Sequence, residues 1–413
     1  MDRAAYTFRR YERKPFDGDA CTQCGRCLAE CRVMRLPEER AQWEIVSLAR
    51  YLEDDGYLSA STDAVLKRCT SCFACNLVCP NDCRPANLIL DIWHRQYQRE
   101  GLPVRARYFL PHSVPNFRTY VLERLRPREQ AAVEAWKRLE PAEAIFFPGC
   151  NMITTPYLTF SRLFDGMDIR GALEYCCGEM YFRMGLYEQL EQVAAKTTAY
   201  FRRLGVSEVH LLCTAGLNLF RNVLPQFGAD FGGIRFVSLL KLVYERLASG
   251  ELPVVKRFEG TRIVLQDSCH AKLLEPEYDQ WPRALVELLG FEVIEAPCSG
   301  PSQLCCGIGS GFSHRASYAK ADLIRGQRRC LSNARSAGAD YIGTYCSGCL
   351  EMMSAGKYVS WLSNPVYHVI ELVQEAMGER PPRRHRRIAF DLLRGTMLGQ
   401  AGGGARFFVP PIE

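Results

Sequence analysis

Three short cysteine segments decide how the C-terminal half of this chain is organised: DSCH at 267–270, CCGIG at 305–309 and CSGC at 346–349. Together they carry five thiols, those of Cys269, Cys305, Cys306, Cys346 and Cys349. Soft thiolates grouped in this way select iron–sulfur clusters, zinc or Cu(I) over hard cations. Because successive side chains diverge, the adjacent Cys305 and Cys306 suit a larger inorganic body better than one tetrahedral ion. The spacing therefore predicts a pocket that binds a cluster.

A weaker copy of the same pattern precedes these segments. It consists of Cys150 at the end of FFPGC, the pair Cys176 and Cys177 followed by a glycine, and Cys213 in CTAG. The later copy ends in a complete CxxC, whereas the earlier one has Gly216 where the last thiol would stand. An internal repeat of this kind predicts two related structural units, one with five thiols and one with four.

The order C…CCG…CxxC resembles the cysteine-rich CCG domain of heterodisulfide reductases and related iron–sulfur subunits, over roughly residues 144 to 360. In that family a complete motif holds a noncubane iron–sulfur cluster, which here would fall to the five thiols of the later copy. His270, beside Cys269, is either a structural histidine, a support of the site or a proton donor to a substrate thiolate. The earlier copy departs from the family pattern at Gly216. This copy is expected to hold a smaller cluster or a zinc ion, or to bind nothing. Its candidate ligands are Cys150, Cys176, Cys177 and Cys213.

Residues 21–83 carry the most specific motif, because C-x2-C-x2-C-x3-C occurs there twice. The first run is Cys21, Cys24, Cys27 and Cys31, and the second is Cys69, Cys72, Cys75 and Cys79. In bacterial two-cluster ferredoxins the fourth cysteine of each run ligates the other cluster. One predicted [4Fe–4S] cubane therefore takes Cys21, Cys24, Cys27 and Cys79, and the other takes Cys69, Cys72, Cys75 and Cys31. Paired zinc knuckles are the less favoured alternative, since eight thiols occur without a histidine.

The insert between the two runs is predicted to be helical. Trp43, Ile45, Val46, Leu48 and Leu52 fall at helical spacing and are expected to pack in a core. The segment 61–63 indicates the N-cap of a second helix. This layout resembles the helical ferredoxin domain of succinate dehydrogenase and heterodisulfide reductase subunits. Further helices are predicted around 89–97 and 128–139 in a connector without chemistry, where His94 and His112 are expected to be surface or packing residues.

From residue 144 onward, short apolar strands alternate with helices. Strands are predicted at 144–147, 209–212, 263–266, 291–296 and 340–345, and helices at 186–201, 285–289 and 315–334. This alternation predicts parallel α/β sheets whose ligands lie beyond the carboxyl ends of the strands. The predicted fold class is a multidomain α+β protein in which a helical two-cluster ferredoxin domain precedes two repeated α/β CCG domains. The predicted boundaries are 1–100 for the ferredoxin domain, 101–143 for the connector, 144–256 and 257–375 for the two copies, and 376–413 for a basic, glycine-rich tail.

Composition limits the remaining possibilities. The 413 residues carry a net charge of +6, and no apolar run approaches the ~20 residues that span a bilayer. Twenty cysteines at metal-ligand spacings, without a signal-peptide pattern, favour reduced thiols in the cytoplasm. Membrane contact is expected only through a partner, and no nucleic-acid motif occurs. The basic run at 383–387 is expected to belong to an extended tail that docks on a partner. Cys83 is expected to be a buried or spare thiol, Cys298 is expected near the pocket, and Cys330 has no assigned role.

The motifs together indicate an electron-transfer subunit. The chain contains no Rossmann G-x-G-x-x-G, no C-x-x-C-H and no Walker loop, so it is expected to exchange electrons with other subunits. The first hypothesis is a protein that resembles the D-type subunit of heterodisulfide reductase, cleaves a disulfide at the noncubane cluster and works with a flavoprotein or a membrane b-type cytochrome. The second is a relay that resembles the iron–sulfur subunits of glycolate oxidase and anaerobic glycerol-3-phosphate dehydrogenase, and that carries electrons from a flavoprotein dehydrogenase to quinone or another acceptor. Zinc-held scaffolding is a third, structural alternative. Whether the chain is itself an enzyme stays open.

Overall fold

Five helices surround the two cysteine runs at the start of the chain. The computed structural model describes residues 16–54, 57–274, 276–311, 320–360, 364–399 and 405–412. The five helices are α1 Arg26–Ala29, α2 Glu38–Asp54, α3 Ala60–Arg68, α4 Ala74–Val78 and α5 Pro85–Glu100. The predicted two-helix insert is confirmed as α2 and α3. The last of the five, α5, ends at Glu100.

Two details of the insert differ from the prediction. The N-cap of α3 is Ser59, because its hydroxyl accepts a hydrogen bond from the Thr62 amide at 3.1 Å. Trp43 is 47% exposed, whereas Ile45 and Leu48 are buried. Trp43 lies on the other side of α2, where the Arg40 guanidinium is 4.8 Å from its ring centre. The core face of α2 is therefore narrower than predicted.

The connector contains strand β1 Leu102–Pro103 and helices α6 Phe117–Leu122 and α7 Pro127–Ala135. Helix α6 begins at a capping box, in which the Asn116 side chain accepts from the Arg118 and Thr119 amides. The predicted helices near 89–97 and 128–139 correspond to α5 and α7. His112 packs against the next domain, with its ring nitrogens on Tyr181 OH at 2.9 Å and on the Glu174 carbonyl at 3.0 Å.

The first copy is built on a three-stranded parallel sheet. Its strands are β2 Ala144–Phe147, β3 Glu208–Leu211 and β4 Arg235–Ser238, in the order β2-β3-β4. Its helices are α8 Gly149–Met152, α9 Glu179–Met184, α10 Tyr187–Leu204, α11 Thr214–Asn218 and α12 Leu239–Ala248. Helix α10 ends at Gly205, which has a φ of 63°, as its predicted C-cap role requires. Strand β4 was not predicted.

The second copy has a four-stranded parallel sheet in the order β6-β5-β7-β8. Its strands are β5 Arg262–Gln266, β6 Glu292–Val293, β7 Tyr341–Thr344 and β8 Val366–His368. Its helices are α13 Gln280–Leu288, α14 Lys320–Arg335, α15 Ser347–Ser360 and α16 Val369–Ala376. Strand β6 is shorter than the predicted 291–296, and β8 was not predicted. Residues 315–319 of the predicted long helix lie outside the described residues.

The tail is folded, so the prediction of an extended tail is wrong. Helix α17 His385–Gly399 buries Ile388, Ala389 and Leu392, because these apolar side chains lie on one helical face. Strand β9 Arg406–Phe407 pairs antiparallel with β1. The glycines at 402–404 lie outside the described residues.

Three residues of the basic run at 383–387 pair with acidic side chains of this chain, and docking of the run on another protein stays a prediction. Arg384 pairs with Glu129, His385 Nδ1 lies 3.0 Å from Glu371 Oε1, and Arg387 Nε lies 3.2 Å from Asp391 Oδ2. Buried apolar side chains from Cys27 to Val409 form one continuous core. Within the described residues, no helix has the length and apolar character that crossing a membrane would require.

Candidate metal centres

The carboxyl ends of the two parallel sheets face each other. Strands β2, β3, β5 and β7 lead directly to Cys150, Cys213, Cys269 and Cys346, as the α/β pattern predicted. Across the gap, Thr214 Oγ1 donates to Ser268 Oγ at 2.6 Å. The Thr154 hydroxyl of the first copy donates to the carboxylate of Glu351 in the second copy. The thiols of both copies therefore gather between the two sheets.

The structure brings all five thiols of the second copy together, and we call them the five-thiol site: Cys269, Cys305, Cys306, Cys346 and Cys349. Hydrogen bonds connect Cys269 to Cys305, Cys305 to Cys306, Cys306 to Cys349 and Cys349 to Cys346. Every one of these side chains is buried. The bond from Cys305 and burial raise the pKa of the Cys269 thiol well above its usual range. Bonds from Cys305 and Cys349 lower the pKa of Cys306 to about 6.

Three of the four thiols predicted for the first copy are joined by hydrogen bonds, and the fourth, Cys213, lies near Cys177. Cys150 hydrogen-bonds to Cys176, which in turn hydrogen-bonds to Cys177. Cys213 instead hydrogen-bonds to Cys346 of the second copy, and this bond raises the pKa of Cys213 and lowers that of Cys346. The fourth thiol of the first copy thus adjoins the five-thiol site.

Gly216 stands where the first copy lacks its last thiol. A Cβ atom added at this position would lie 3.1 Å from Leu211 Cδ2 and 3.8 Å from the Cys213 Cβ. Contact at 3.1 Å is tighter than ordinary van der Waals packing. A side chain at position 216 would therefore require the Leu211 side chain, at the end of β3, to shift by a few tenths of an ångström.

The eight thiols of the ferredoxin domain fall into the two crossed sets that the motif predicted. Cys21, Cys24, Cys27 and Cys79 line one small cavity of about 20 Å³. Cys31, Cys69, Cys72 and Cys75 line a second cavity of about 500 Å³, together with Cys27. The fourth cysteine of each run thus lies beside the other run. The larger cavity continues to Cys305 of the five-thiol site.

Backbone N–H groups are directed at three of the candidate ligand sulfurs. In the parts of the chain that the structure describes, no three or more Cys, His, Asp or Glu side chains converge on a point suited to one metal ion. Backbone N–H groups of Ser71, Cys83 and Gly309 each donate at 3.4 Å to the sulfur of Cys69, Cys79 and Cys305 respectively. N–H groups directed at thiolate sulfur are a typical feature of such clusters.

A buried arginine that the sequence analysis missed contacts the five-thiol site. Arg183, on α9 of the first copy, donates from Nη2 to Cys269 Sγ at 2.6 Å, and the same nitrogen lies 3.1 Å from His270 Nε2. Burial raises the pKa of the neighbouring Glu179, but Arg183 and His270 lower it to about 2. The signal in the sequence is slight: EMYFRM at 179–184 pairs Glu179 with Arg183 at i,i+4 in an apolar segment.

His270 is held at both ring nitrogens. The Asn218 carbonyl oxygen accepts from Asn222 Nδ2 at 3.0 Å, so the Asn218 amide nitrogen faces His270 and donates to its Nδ1 at 3.2 Å. The other ring nitrogen, Nε2, lies 3.2 Å from Glu179 Oε1 and 3.1 Å from Arg183 Nη2. Of the alternatives for His270, these contacts favour a supporting role beside Cys269.

A second missed arginine lies beside the first copy's thiols, although the connector was predicted to be without chemistry. Arg118 is 1% exposed, hydrogen-bonds to Cys150 and donates from Nη1 to the Phe109 carbonyl at 3.2 Å. Glu351 lies close to both groups, and burial raises its pKa to about 8. The first copy thus has a buried cation where the second has Arg183.

The three unassigned cysteines are all buried. Cys83 lies beside Cys79 and Cys21, and burial together with these thiols raises its pKa to about 12. Cys330 donates from its thiol to Gln266 Oε1 at 2.8 Å and lies near Cys305. The backbone of Cys298 exchanges two hydrogen bonds of 2.9 Å with the Asn333 side chain, and the residues on either side of it, 297 and 299, line the larger cavity.

Two comparisons with protein families define the class of protein. Residues 17–83 match the 4Fe-4S dicluster domain family, and residues 263–354 match the cysteine-rich CCG domain family. These are the two regions in which the structure gathers the crossed thiol sets and the five-thiol site. The chain is an iron–sulfur protein with a dicluster ferredoxin domain and a CCG domain.

Similarity to individual proteins extends over most of the chain. It is 21% identical over 393 residues to the D-type subunit of dihydromethanophenazine:CoB–CoM heterodisulfide reductase from Methanosarcina barkeri, covering 87% of this chain and 94% of that protein. It is 24% identical to the glycolate oxidase iron–sulfur subunit of Escherichia coli, with the same coverage. Half of the chain is 27% identical to the EtfAB:quinone oxidoreductase of Syntrophomonas wolfei, but spans only 29% of that protein. The chain is thus an iron–sulfur electron-transfer subunit related to these three proteins, as the resemblance predicted.

Proposed function

We propose that this chain carries electrons between its ferredoxin domain and the five-thiol site within a larger oxidoreductase, and that a disulfide is reduced at that site. One observation carries the proposal. One cavity of about 500 Å³ is lined both by Cys31, Cys69, Cys72 and Cys75 and by Cys305 of the five-thiol site. A cavity shared by the two thiol sets supports electron transfer between the centres proposed for them.

In this proposal the crossed thiol sets hold two cubane [4Fe–4S] clusters, and the five-thiol site holds one noncubane cluster. When bound, such clusters supply one-electron redox chemistry, with potentials from roughly −700 to +450 mV. The chain's own groups tune that chemistry: the N–H donors of Ser71, Cys83 and Gly309 stabilise thiolate charge, and burial of the thiols excludes water.

The disulfide reaction has a simple balance. One S–S bond breaks, two electrons and two protons are taken up, and two thiols form. The electrons arrive from a partner subunit, a flavoprotein or a b-type cytochrome, and the protons come from solvent. The likeness to the D-type subunit of heterodisulfide reductase over 87% of the chain supports this assignment. His270 supports the site by fixing the Cys269 loop between Asn218 and Glu179.

A relay without substrate chemistry is the second candidate, and burial favours it. The side chains of the five-thiol site are at most 7% exposed, with Cys346 the most exposed of them. The likeness to the glycolate oxidase iron–sulfur subunit also supports it. In this form the electrons come from a flavoprotein dehydrogenase and leave to quinone or another acceptor.

Anaerobic iron and sulfide analysis, with EPR spectroscopy of the oxidised protein, tests both candidates. Two cubanes and one noncubane cluster predict about 12 irons per chain, against about 8 if only the ferredoxin domain is loaded. A paramagnetic signal that appears only when a thiol is added would support disulfide reduction. About 12 irons without a thiol response would favour the relay. A count near 8 would contradict the assignment of a cluster to the five-thiol site.

A further inference from the structure

We propose that Arg183 sets the reduction potential of the five-thiol site and joins that site to the ferredoxin domain. The inference rests on the proposed function, because it concerns a cluster held by the five thiols. Arg183 belongs to the first copy, which lacks a complete motif of its own. It acts through Cys269 and is therefore a positioning residue.

The hydrogen bonds of Arg183 connect three domains. Nη1 donates to the carbonyls of Thr70 and Ser71 at 3.1 Å each, and these residues lie between Cys69 and Cys72 of the ferredoxin domain. Nη2 donates to Cys269 Sγ at 2.6 Å in the second copy. Nε pairs with Glu179 in the first copy. One side chain thus spans the distance between two candidate redox centres.

The surroundings of Arg183 exclude water. The side chain is 1% exposed, and the ring of Phe182, its neighbour in α9, stacks on Phe73 of the ferredoxin domain at 5.5 Å. Gly309 closes the other side, since a Cβ there would lie 2.3 Å from the Thr70 carbonyl oxygen and 3.0 Å from Arg183 Nη1. A charge in such a poorly polarisable region acts more strongly on its neighbours than it would in water.

The sign of the effect follows from charge. Reduction adds an electron to the cluster and its thiolates, and a cation bonded to Cys269 stabilises this more negative state. Arg183 therefore raises the reduction potential of the five-thiol site. A guanidinium is not deprotonated in proteins, so the positive charge of Arg183 is permanent.

A guanidinium suits this position better than an ammonium group. Its planar fork donates in fixed directions from Nη1 and Nη2, so it reaches the Thr70 carbonyl and the Cys269 sulfur together. Lysine would keep the charge but lose this fixed fork. The two substitutions Arg183→Gln and Arg183→Lys therefore separate the charge from the geometry.

An anaerobic redox titration of the full chain, followed by EPR, tests the proposal. Arg183→Gln should shift the ratio of reduced to oxidised five-thiol site at least tenfold toward the oxidised form, which is about 59 mV for a one-electron step. Arg183→Lys should recover most of that shift, because it restores the positive charge. Iron content should stay near ~12 per chain in both variants.

Arg170→Gln is the matched control. Arg170 is also a buried arginine of the first copy, but it pairs with Asp168 and Glu140 and, among the described residues, contacts no thiol. Its substitution should leave the potential of the five-thiol site unchanged. A wild-type count of about 8 irons would overturn the proposed function itself. With about 12 irons in the wild type, an unchanged potential in Arg183→Gln, an equal shift in Arg170→Gln, or loss of about four irons in both Arg183 variants would overturn this inference alone.

Discussion

The first and second copies share a plan and differ in what each contributes. Both have a parallel sheet, an adjacent pair of cysteines, and a buried arginine beside the first thiol: Arg118 at Cys150 and Arg183 at Cys269. The second copy gathers all five of its thiols. In the first copy, Cys150, Cys176 and Cys177 are joined by hydrogen bonds, Cys213 lies near Cys177 but hydrogen-bonds to Cys346, and Gly216 stands in place of a fifth thiol.

The first copy supplies the surroundings of the second copy's site. Arg183, Glu179 and Asn218 contact Cys269 and His270, and Thr214 holds Ser268. A repeat that lacks one ligand thus still provides charge, hydrogen bonds and shape to its neighbour. This comparison teaches that the copies are complementary rather than interchangeable.

Replacing the second cysteine of the adjacent pair in each copy should reveal the largest difference between the copies, in iron content. Cys306→Ser removes a member of the five-thiol site, and we expect the iron content to fall by about four atoms from about 12. Cys177→Ser, at the matching position of the first copy, should leave the iron content unchanged. Anaerobic iron and sulfide analysis measures both. An equal loss in the two variants would show that each copy carries a cluster.

The glycine loop after the cysteine pair provides the next largest difference. Gly309 lies against the ferredoxin domain, where an added Cβ would be 2.3 Å from the Thr70 carbonyl oxygen, whereas Met180 fills the corresponding position of the first copy. Gly309→Ala should cost about 3 kcal/mol or more of unfolding free energy, measured by anaerobic urea denaturation. Gly18→Ala, where the nearest atom would be 3.5 Å away, is the control. Equal stabilities would contradict the close contact.

The residues at the ends of β4 and β8 differ between the two copies. This difference predicts that the two copies contribute differently to the pH dependence of the protein's stability. His368 is fully buried at the N-cap of α16, and burial lowers its pKa to about 4, while Ser238 occupies the N-cap of α12. As the pH falls, the unfolded chain protonates first, at about 6.5, so this contribution to stability is complete above that pH and is lost as the pH falls toward 4.

His368→Ser should therefore reduce the stability loss between about pH 8 and about pH 5.5 by about 1 kcal/mol relative to the wild type. The measurement is the urea midpoint at each pH, and only the difference in slope between the two proteins counts. His112→Gln serves as a comparison and should change the slope in the same direction, because burial also lowers the pKa of His112 to about 4. A slope in His368→Ser identical to that of the wild type would contradict the buried, neutral state of His368.

Restoring the missing thiol should have the smallest effect. Gly216→Cys gives the first copy a complete motif, but we expect no additional iron, because Leu211 Cδ2 would lie 3.1 Å from the new Cβ and Cys213 bonds to Cys346. Ala215→Cys controls for the addition of a thiol. Iron rising by about four atoms in Gly216→Cys alone would show that the copies differ only in that residue.

The way the cysteines group in space was predictable, because it follows from their spacing along the sequence. The crossed grouping of Cys79 and Cys31 required only the rule for two-cluster ferredoxins, and the α/β alternation indicated which thiols would follow strands. The five thiols of the second copy likewise came together as one group. Their binding of clusters stays a prediction.

The arginines were not predictable from spacing, because their partners are distant in sequence. Arg183 lies 86 residues from Cys269 and 113 residues from Thr70, and no local pattern joins them. Cys213 was assigned to the first copy because of its position in the repeat. Nothing in that position indicated that its thiol would also contact Cys346 of the second copy. The short strands β4 and β8 carry no thiol and were missed. The apolar face of α17 was missed because the basic and glycine-rich composition of the tail indicated an extended segment.

The pairing of β9 with β1 has a consequence for the order in which the protein matures. The Val409 amide donates to Tyr97 OH at 3.0 Å, across a separation of 312 residues, and Arg406 Nε donates to the Glu100 carbonyl at 2.9 Å. During translation, helix α5 emerges long before residues 405–412 can cover its end. Domains generally fold as units from the N-terminus, whereas contacts between distant segments form late. The ferredoxin domain therefore stays open at this edge until residues 405–412 have been synthesised, which leaves an interval for metal delivery before β9 pairs with β1.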